Sequence, residues 1–191
     1  MSARKLWRAA ALTSGLAALA ACGTPADPGA MALSASAGTT AVHGSKFDHS
    51  FGVAGITGGA ETNPVDMAEI SNPALRSTLE TSLRNLGYLA ADPGQAHYLV
   101  SADIVGVERP TSAYDPAVLV VPIDMSVTVK IHYTVTPAGG RAPVFDELVG
   151  TTGIATINDA ITPGGRVRRA EEIAVHDNID SFLKRLNDDW K

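Results

Sequence analysis

IDMSVTVKIHYTV, residues 123–135, is the longest regular pattern in the chain and decides the fold. Its odd-numbered positions, Ile123, Met125, Val127, Val129, Ile131, Tyr133 and Val135, are apolar. The positions between them, Asp124, Ser126, Thr128, Lys130, His132 and Thr134, are polar. Successive side chains of a β-strand point to opposite faces, so a period of two predicts a strand with one buried and one wet face. A sheet built on it is covered on one side only.

Working outward, the turn Pro137–Gly140 leads into PVFDELVGTTGIAT (143–156), which predicts an antiparallel neighbour. On the other side, HYLVSADIVGVER (97–109) reads as a strand bounded by the turn-like ADPGQ and PTSAYDP, and FGVAGITGG (51–59) as a first strand ending in a glycine pair. Between these strands lies SNPALRSTLETSLRNLGYL (71–89). Asn72 is placed to cap, Pro73 fits the first helical turn, Leu75, Leu79, Leu83 and Leu86 form one stripe, and Gly87 suits a left-handed C-terminal position. RVRRAEEIAVHDNIDSFLKRL (166–186) carries a second stripe, Val175, Ile179, Phe182 and Leu186.

The order β-α-β-β-β-α predicts a single α+β domain over residues 51–191. It is a two-layer sandwich, with a largely antiparallel sheet of about four strands and both helices on one face. If the first two strands lie parallel in that sheet, the helix between them makes a right-handed crossover.

Ahead of the domain, Arg4, Lys5 and Arg8 precede an apolar run from Ala9 to Ala21 that is too short to span a bilayer, the pattern of a secretory signal peptide over residues 1–21. The run ends in LAAC (19–22), which contains the only cysteine and resembles a bacterial lipobox. The resemblance implies that Cys22 is acylated and becomes the new N-terminus, a two-chain anchor of the kind stable membrane attachment requires. Gly23, where Asp would retain the protein in the inner membrane, implies the periplasmic face of the outer membrane of a diderm cell. Residues 23–50 are rich in Gly, Ala, Ser, Thr and Pro without periodicity, so residues 22–50 are expected to form a lipidated, flexible tether reaching about 30 Å.

Loss of residues 1–21 removes three of the 15 Lys and Arg and none of the 20 Asp and Glu, leaving 12 basic against 20 acidic residues, a formal charge of −8. An acidic domain is poorly suited to nucleic acid, and no nucleic-acid partner is expected. The sequence contains no G-x-S-x-G, H-E-x-x-H, P-loop or EF-hand pattern, and neither a catalytic residue, a metal site nor a cofactor is expected. His43 and His49 lie in the expected tether, where two histidines could bind a stray transition metal but have no third ligand nearby, and His132 on the wet strand face and His176 on the last helix read as ordinary exposed histidines.

Two places stand out from this background. Gly58, Gly59, Thr62 and Asn63, in GGAETNP, form either a binding loop or a plain structural connection. Arg166, Arg168 and Arg169 stand near a helix start, where the macrodipole disfavours positive charge by about 0.3–1 kcal/mol. They are expected to pair with Glu171, Glu172, Asp146 or Glu147, or else to form an anion site for a lipid headgroup or glycan phosphate.

Taken together, GITGGAETNP, RSTLETSLRNLGYL, VKIHYTVTPA and AEEIAVHDNIDSFLKRL resemble a group of small proteobacterial envelope lipoproteins, broadly YajG-like. The layout is also similar to that of the lipopolysaccharide-assembly lipoprotein, although Thr24 stands where that family usually has an aromatic. The resemblance implies a non-enzymatic, membrane-anchored accessory or assembly partner in the cell envelope. The alternative is a binding module for an envelope lipid or glycan. A UDP-N-acetylglucosamine acyltransferase is a weaker alternative, because no hexapeptide repeats are present.

Overall fold

The computed structural model describes residues 24–35, 45–62, 69–109, 124–140 and 142–188. In chain order they form a short helix α1 (Pro28–Met31), strand β1 (Phe51–Thr57), helix α2 (Asn72–Asn85) and a single 3-10 turn (Pro93–Gln95). Strands β2 (Tyr98–Glu108), β3 (Met125–Pro137) and β4 (Phe145–Ala155) follow, and helix α3 (Pro163–Asp188) closes the domain. The sheet runs β1-β2-β3-β4, with β1 parallel to β2 and the other pairs antiparallel. This is the α+β, one-face-covered architecture that the strand period predicts.

Every apolar position of β3 from Met125 to Val135 is fully buried. On the same side lie Leu75, Leu79, Leu83 and Leu86 from the α2 stripe and Val175, Ile179, Phe182 and Leu186 from the α3 stripe, all fully buried. The α2 cap sits one residue earlier than the sequence suggests: Ser71 Oγ accepts from Ala74 N at 3.3 Å. Asn72 is thereby released to accept from Gly59 N at 2.8 Å, tying the end of β1 to the helix start. Gly87 has φ +80°, the left-handed conformation that a chain leaving a helix favours.

Helix α3 lies with its backbone against β4. A Cβ built on Gly153 would stand 2.0 Å from Ala170 O and 2.6 Å from Ala174 N, so only glycine permits this approach. The contact is fastened by polar groups. Thr151 Oγ1 donates to Ala174 O at 2.7 Å, and the buried Asn178 amide donates to Val149 O at 2.9 Å and to Thr151 Oγ1 at 3.0 Å. One turn on, Phe182 stacks on Tyr133 at 4.2 Å and meets Phe145 edge-on at 5.4 Å.

Helix α2 packs on β1, and α3 on β3 and β4, which leaves a groove between the helices. The segment around α1 fills it. Met31 and Leu33 are fully buried and Ala26 nearly so. Thr78 Oγ1 donates to Pro28 O at 3.3 Å, Ser82 Oγ accepts from Leu33 N at 3.0 Å, and Asn85 Nδ2 donates to Leu33 O at 2.9 Å. Phe47 is also buried, against Phe51 at 5.5 Å and Tyr98 at 6.0 Å.

The expectation of a flexible tether over residues 22–50 is therefore corrected: residues 26–33 and 45–50 belong to the folded domain. A groove between two helices is filled by two or three apolar side chains, and so short a filler shows no periodicity. The domain accordingly extends N-terminal to residue 51.

Truncating the filler should cost what a core leucine costs: Leu33→Ala is expected to destabilise the soluble domain by about 2–5 kcal/mol in denaturant unfolding, against near zero for a tether residue. Gly153→Ala drives a methyl into the α3 backbone, and a loss of at least about 1–3 kcal/mol is expected in the same measurement.

Candidate functional site

No described helix or loop covers the sheet face opposite the helices. Across it, Thr57 Oγ1 donates to Asp103 at 2.6 Å, Lys130 Nζ to Glu108 at 2.5 Å, and the Thr128 and Thr152 hydroxyls lie 2.7 Å apart. His132 Nε2 stands 2.9 Å from Asp146 Oδ1, with both side chains substantially exposed. Among these polar groups, Val105 on β2 and Leu148 on β4 are half or more exposed.

The β1–β2 register shifts between Val53 and Ile56, and beside this irregularity Gly55 adds no side chain. A shallow recess of roughly 200 Å³ results, lined by Gly55, Thr57, Ser101, Ala102, Asp103, His132 and Thr134. Hydroxyls, one carboxylate and one imidazole on a wet floor can hydrogen-bond an occupant. Their ion pairs are solvated and contribute little to stability, about 0–1 kcal/mol each. Among the described residues, no group of three His, Cys, Asp or Glu side chains is placed to hold a metal ion.

A second cluster, fully buried at Glu171 and partly buried at Arg109 and Glu69, lies at the end of the domain where α2 and α3 begin. Arg109, just past β2, donates to Glu69 through Nη1 and Nη2 at 3.1 and 3.0 Å. Its Nε donates to Glu171 Oε1 at 2.8 Å, and Nη2 reaches the same oxygen. Glu171 is fully buried, and desolvation pushes its carboxyl up to about 7 even though Arg109 acts in the opposite direction. The neighbouring Glu69 and Glu172 charges add to the rise.

Glu172 occupies the next position. It accepts from Asp27 N at 3.1 Å and from Arg169 Nη1 at 3.3 Å, and Arg168 Nε lies 3.6 Å away. This network fixes the N-terminal segment to α3.

The three arginines singled out in the sequence thus separate into two roles. Arg168 and Arg169 share Glu172, as the pairing reading expects, whereas Arg166 is buried and its Nη1 donates to the carbonyls of Ala160 at 3.2 Å and Ile161 at 2.9 Å. Arg166 braces the turn that enters α3. The other expected partners are engaged elsewhere: Asp146 faces His132, and Glu147 accepts from Arg185 at 3.1 Å. The loop candidates are likewise tied into the chain itself. Gly58 has φ +77° and lies against Ile104 O, Gly59 bonds Asn72, and Thr62 Oγ1 exchanges hydrogen bonds with Glu69 N and O at 3.2 and 3.4 Å. Asn63 and Cys22 lie outside the described residues.

Arg109 was not legible as a site residue, since 62 positions separate it from Glu171. A signal did exist on the helix. Glu171 lies four residues before Val175, on the apolar stripe itself, and a carboxylate there must be buried beside a cation or neutralised.

No protein-family model matches the chain, and no curated protein matches it by sequence. Among solved structures it is similar to protein XCC0632 from Xanthomonas campestris, of family DUF330, with a TM-score of 0.47 at 10% identity, covering 75% of this chain and 91% of that one. It is also similar to a candidate lipoprotein from Caulobacter crescentus CB15, with a TM-score of 0.40 at 13% identity, covering 60% of this chain and 79% of that one.

The raised carboxyl of Glu171 has a definite sign. Protonation favours the folded state, so its contribution to stability is present below about pH 4.5 and is lost as pH rises through about 7. Glu171→Gln should therefore lie closest to the natural protein near pH 4.5 and gain on it as pH rises through about 7. Parallel denaturant titrations across that range measure the difference.

Proposed function

We propose that this chain is a lipid-anchored protein of the cell envelope that works by binding rather than catalysis, as an accessory or assembly partner of another envelope protein. The observation that carries the binding role is the asymmetry of the layers. Two helices and the N-terminal segment occupy one face of the sheet, while the other presents hydroxyls, His132, Asp103 and exposed Val105 and Leu148. Polar groups interspersed with a few apolar ones suit a protein surface that is dry in the complex and wet before it.

The anchor rests on the basic n-region, the apolar run and LAAC ending at Cys22. The resemblance to YajG-like lipoproteins supports it, and Gly23 points to the periplasmic face of an outer membrane. The recess also supports a second reading, a site for an envelope glycan or lipid headgroup, since Thr57, Ser101, Asp103, His132 and Thr134 can all hydrogen-bond a polyol.

Cys22→Ser should move the protein from the membrane pellet to the soluble fraction without changing its melting temperature, because the position precedes the packed segment; unchanged pelleting refutes the anchor. A photo-crosslinker at Thr134, on the open face, should capture an envelope protein in living cells. Capture of glycan or lipid instead would favour the second reading.

A further inference from the structure

The packed N-terminal segment changes what the anchor does to the domain. Ala26, only the fourth residue after Cys22, is already buried against the helical layer, and Asp27 N is bonded to Glu172. Four residues span at most about 14 Å. The domain therefore cannot stand about 30 Å clear of the bilayer, as a free tether would allow.

The point of attachment also limits which end can reach the membrane. Glu172 lies nine residues into the 26-residue helix α3, about 13 Å from its start and about 24 Å from its end. From Ala26 the chain runs toward the far end of the helices, passing Thr78, Ser82 and Asn85 in turn. In the other direction, a leash of about 14 Å back to Cys22 is long enough to reach the start of α3, about 13 Å from Glu172. The acyl chains thus lie within reach of the end where α3 begins.

That end carries an unexplained apolar surface. Ile154 at the end of β4, and Ile157 and Ile161 in the turn that follows, are 58%, 53% and 86% exposed. The turn holding Ile157 and Ile161 is braced by hydrogen bonds: Thr156 N and Oγ1 donate to Asp159 at 2.8 and 2.9 Å, Thr162 Oγ1 accepts from Gly165 N at 3.1 Å, and Arg166 donates to the carbonyls of Ala160 and Ile161. A braced turn that holds Ile157 and Ile161 in solvent, next to Ile154 on the open face of β4, leaves apolar area that none of the described residues covers.

We propose that the occupant is the phospholipid bilayer itself: the turn between β4 and α3 rests at the lipid interface beside the acylated Cys22. The domain is then held with the start of its helices against the membrane and its open sheet face directed along or away from it. This inference rests on the lipid-anchor reading, because without acylation the short leash leads nowhere.

The test uses the lipidated full-length protein in phosphatidylethanolamine–phosphatidylglycerol vesicles containing lipids brominated on the acyl chain. Of the two tryptophans, Trp7 leaves with the signal peptide, so a Trp190→Phe background gives a mature protein without tryptophan. Ile161→Trp or Ile157→Trp then reports on the turn, and Ala138→Trp on the opposite end of the domain, beyond the far end of β4. Brominated lipid is expected to quench tryptophan at 161 or 157 by roughly half, as for a side chain seated about 5–10 Å into the interface, and to leave that at 138 nearly unchanged.

Equal emission with and without bromine at both turn positions, in protein that floats with the vesicles, overturns the orientation while leaving the anchor intact. Stronger quenching at 138 than at 161 and 157 overturns it as well. Failure of the natural protein to float, with an unmodified mass at Cys22, overturns the anchor and this inference with it.

Discussion

The close approach of α3 to β4 at Gly153 governs the rest of this structure. Without a side chain at that point, the helix backbone reaches the strand, and Thr151 and Asn178 convert the contact into hydrogen bonds between helix and sheet. Several features follow from where this fixes α3. Phe182 falls over Tyr133, the stripe from Val175 to Leu186 faces the β3 core, and α3 is held over β3 and β4, away from α2 on β1. The interhelical groove is a consequence of that placement.

The groove in turn determines the fate of the N-terminal segment. Met31 and Leu33 cover apolar surface that the two helices leave bare, and Glu172 holds the entering backbone at Asp27. A segment that looks like a spacer is thereby a structural filler. Under the anchoring proposed for Cys22, the same packing turns a long flexible leash into a short one and gives the domain a defined orientation on the membrane.

Charge is divided between the cluster around Arg109 and the open sheet face. At the buried end, Glu69, Arg109 and Glu171 form a pair network whose geometry serves assembly, joining the β1–α2 loop, the end of β2 and α3. On the open sheet face the charges are exposed and individually weak, which leaves them free to exchange partners when a surface docks. The part of the molecule suited to recognition is thus the part that contributes least to holding the fold.

The sequence by itself determined the elements and their faces. The alternation from Ile123 to Val135, the α2 leucine stripe, the α3 stripe and Gly87 each encode a local periodicity or backbone conformation, and a period is legible wherever neighbouring residues share an environment. Pairing of Arg168 and Arg169 with Glu172 was legible for the same reason, since residues three and four apart share a helix face. Tertiary structure alone decided the role of Arg109, the bracing by Arg166, the need for glycine at 153 and the burial of Met31 and Leu33. Each depends on a surface brought close by residues distant in the chain, and no local pattern records what will be packed against it.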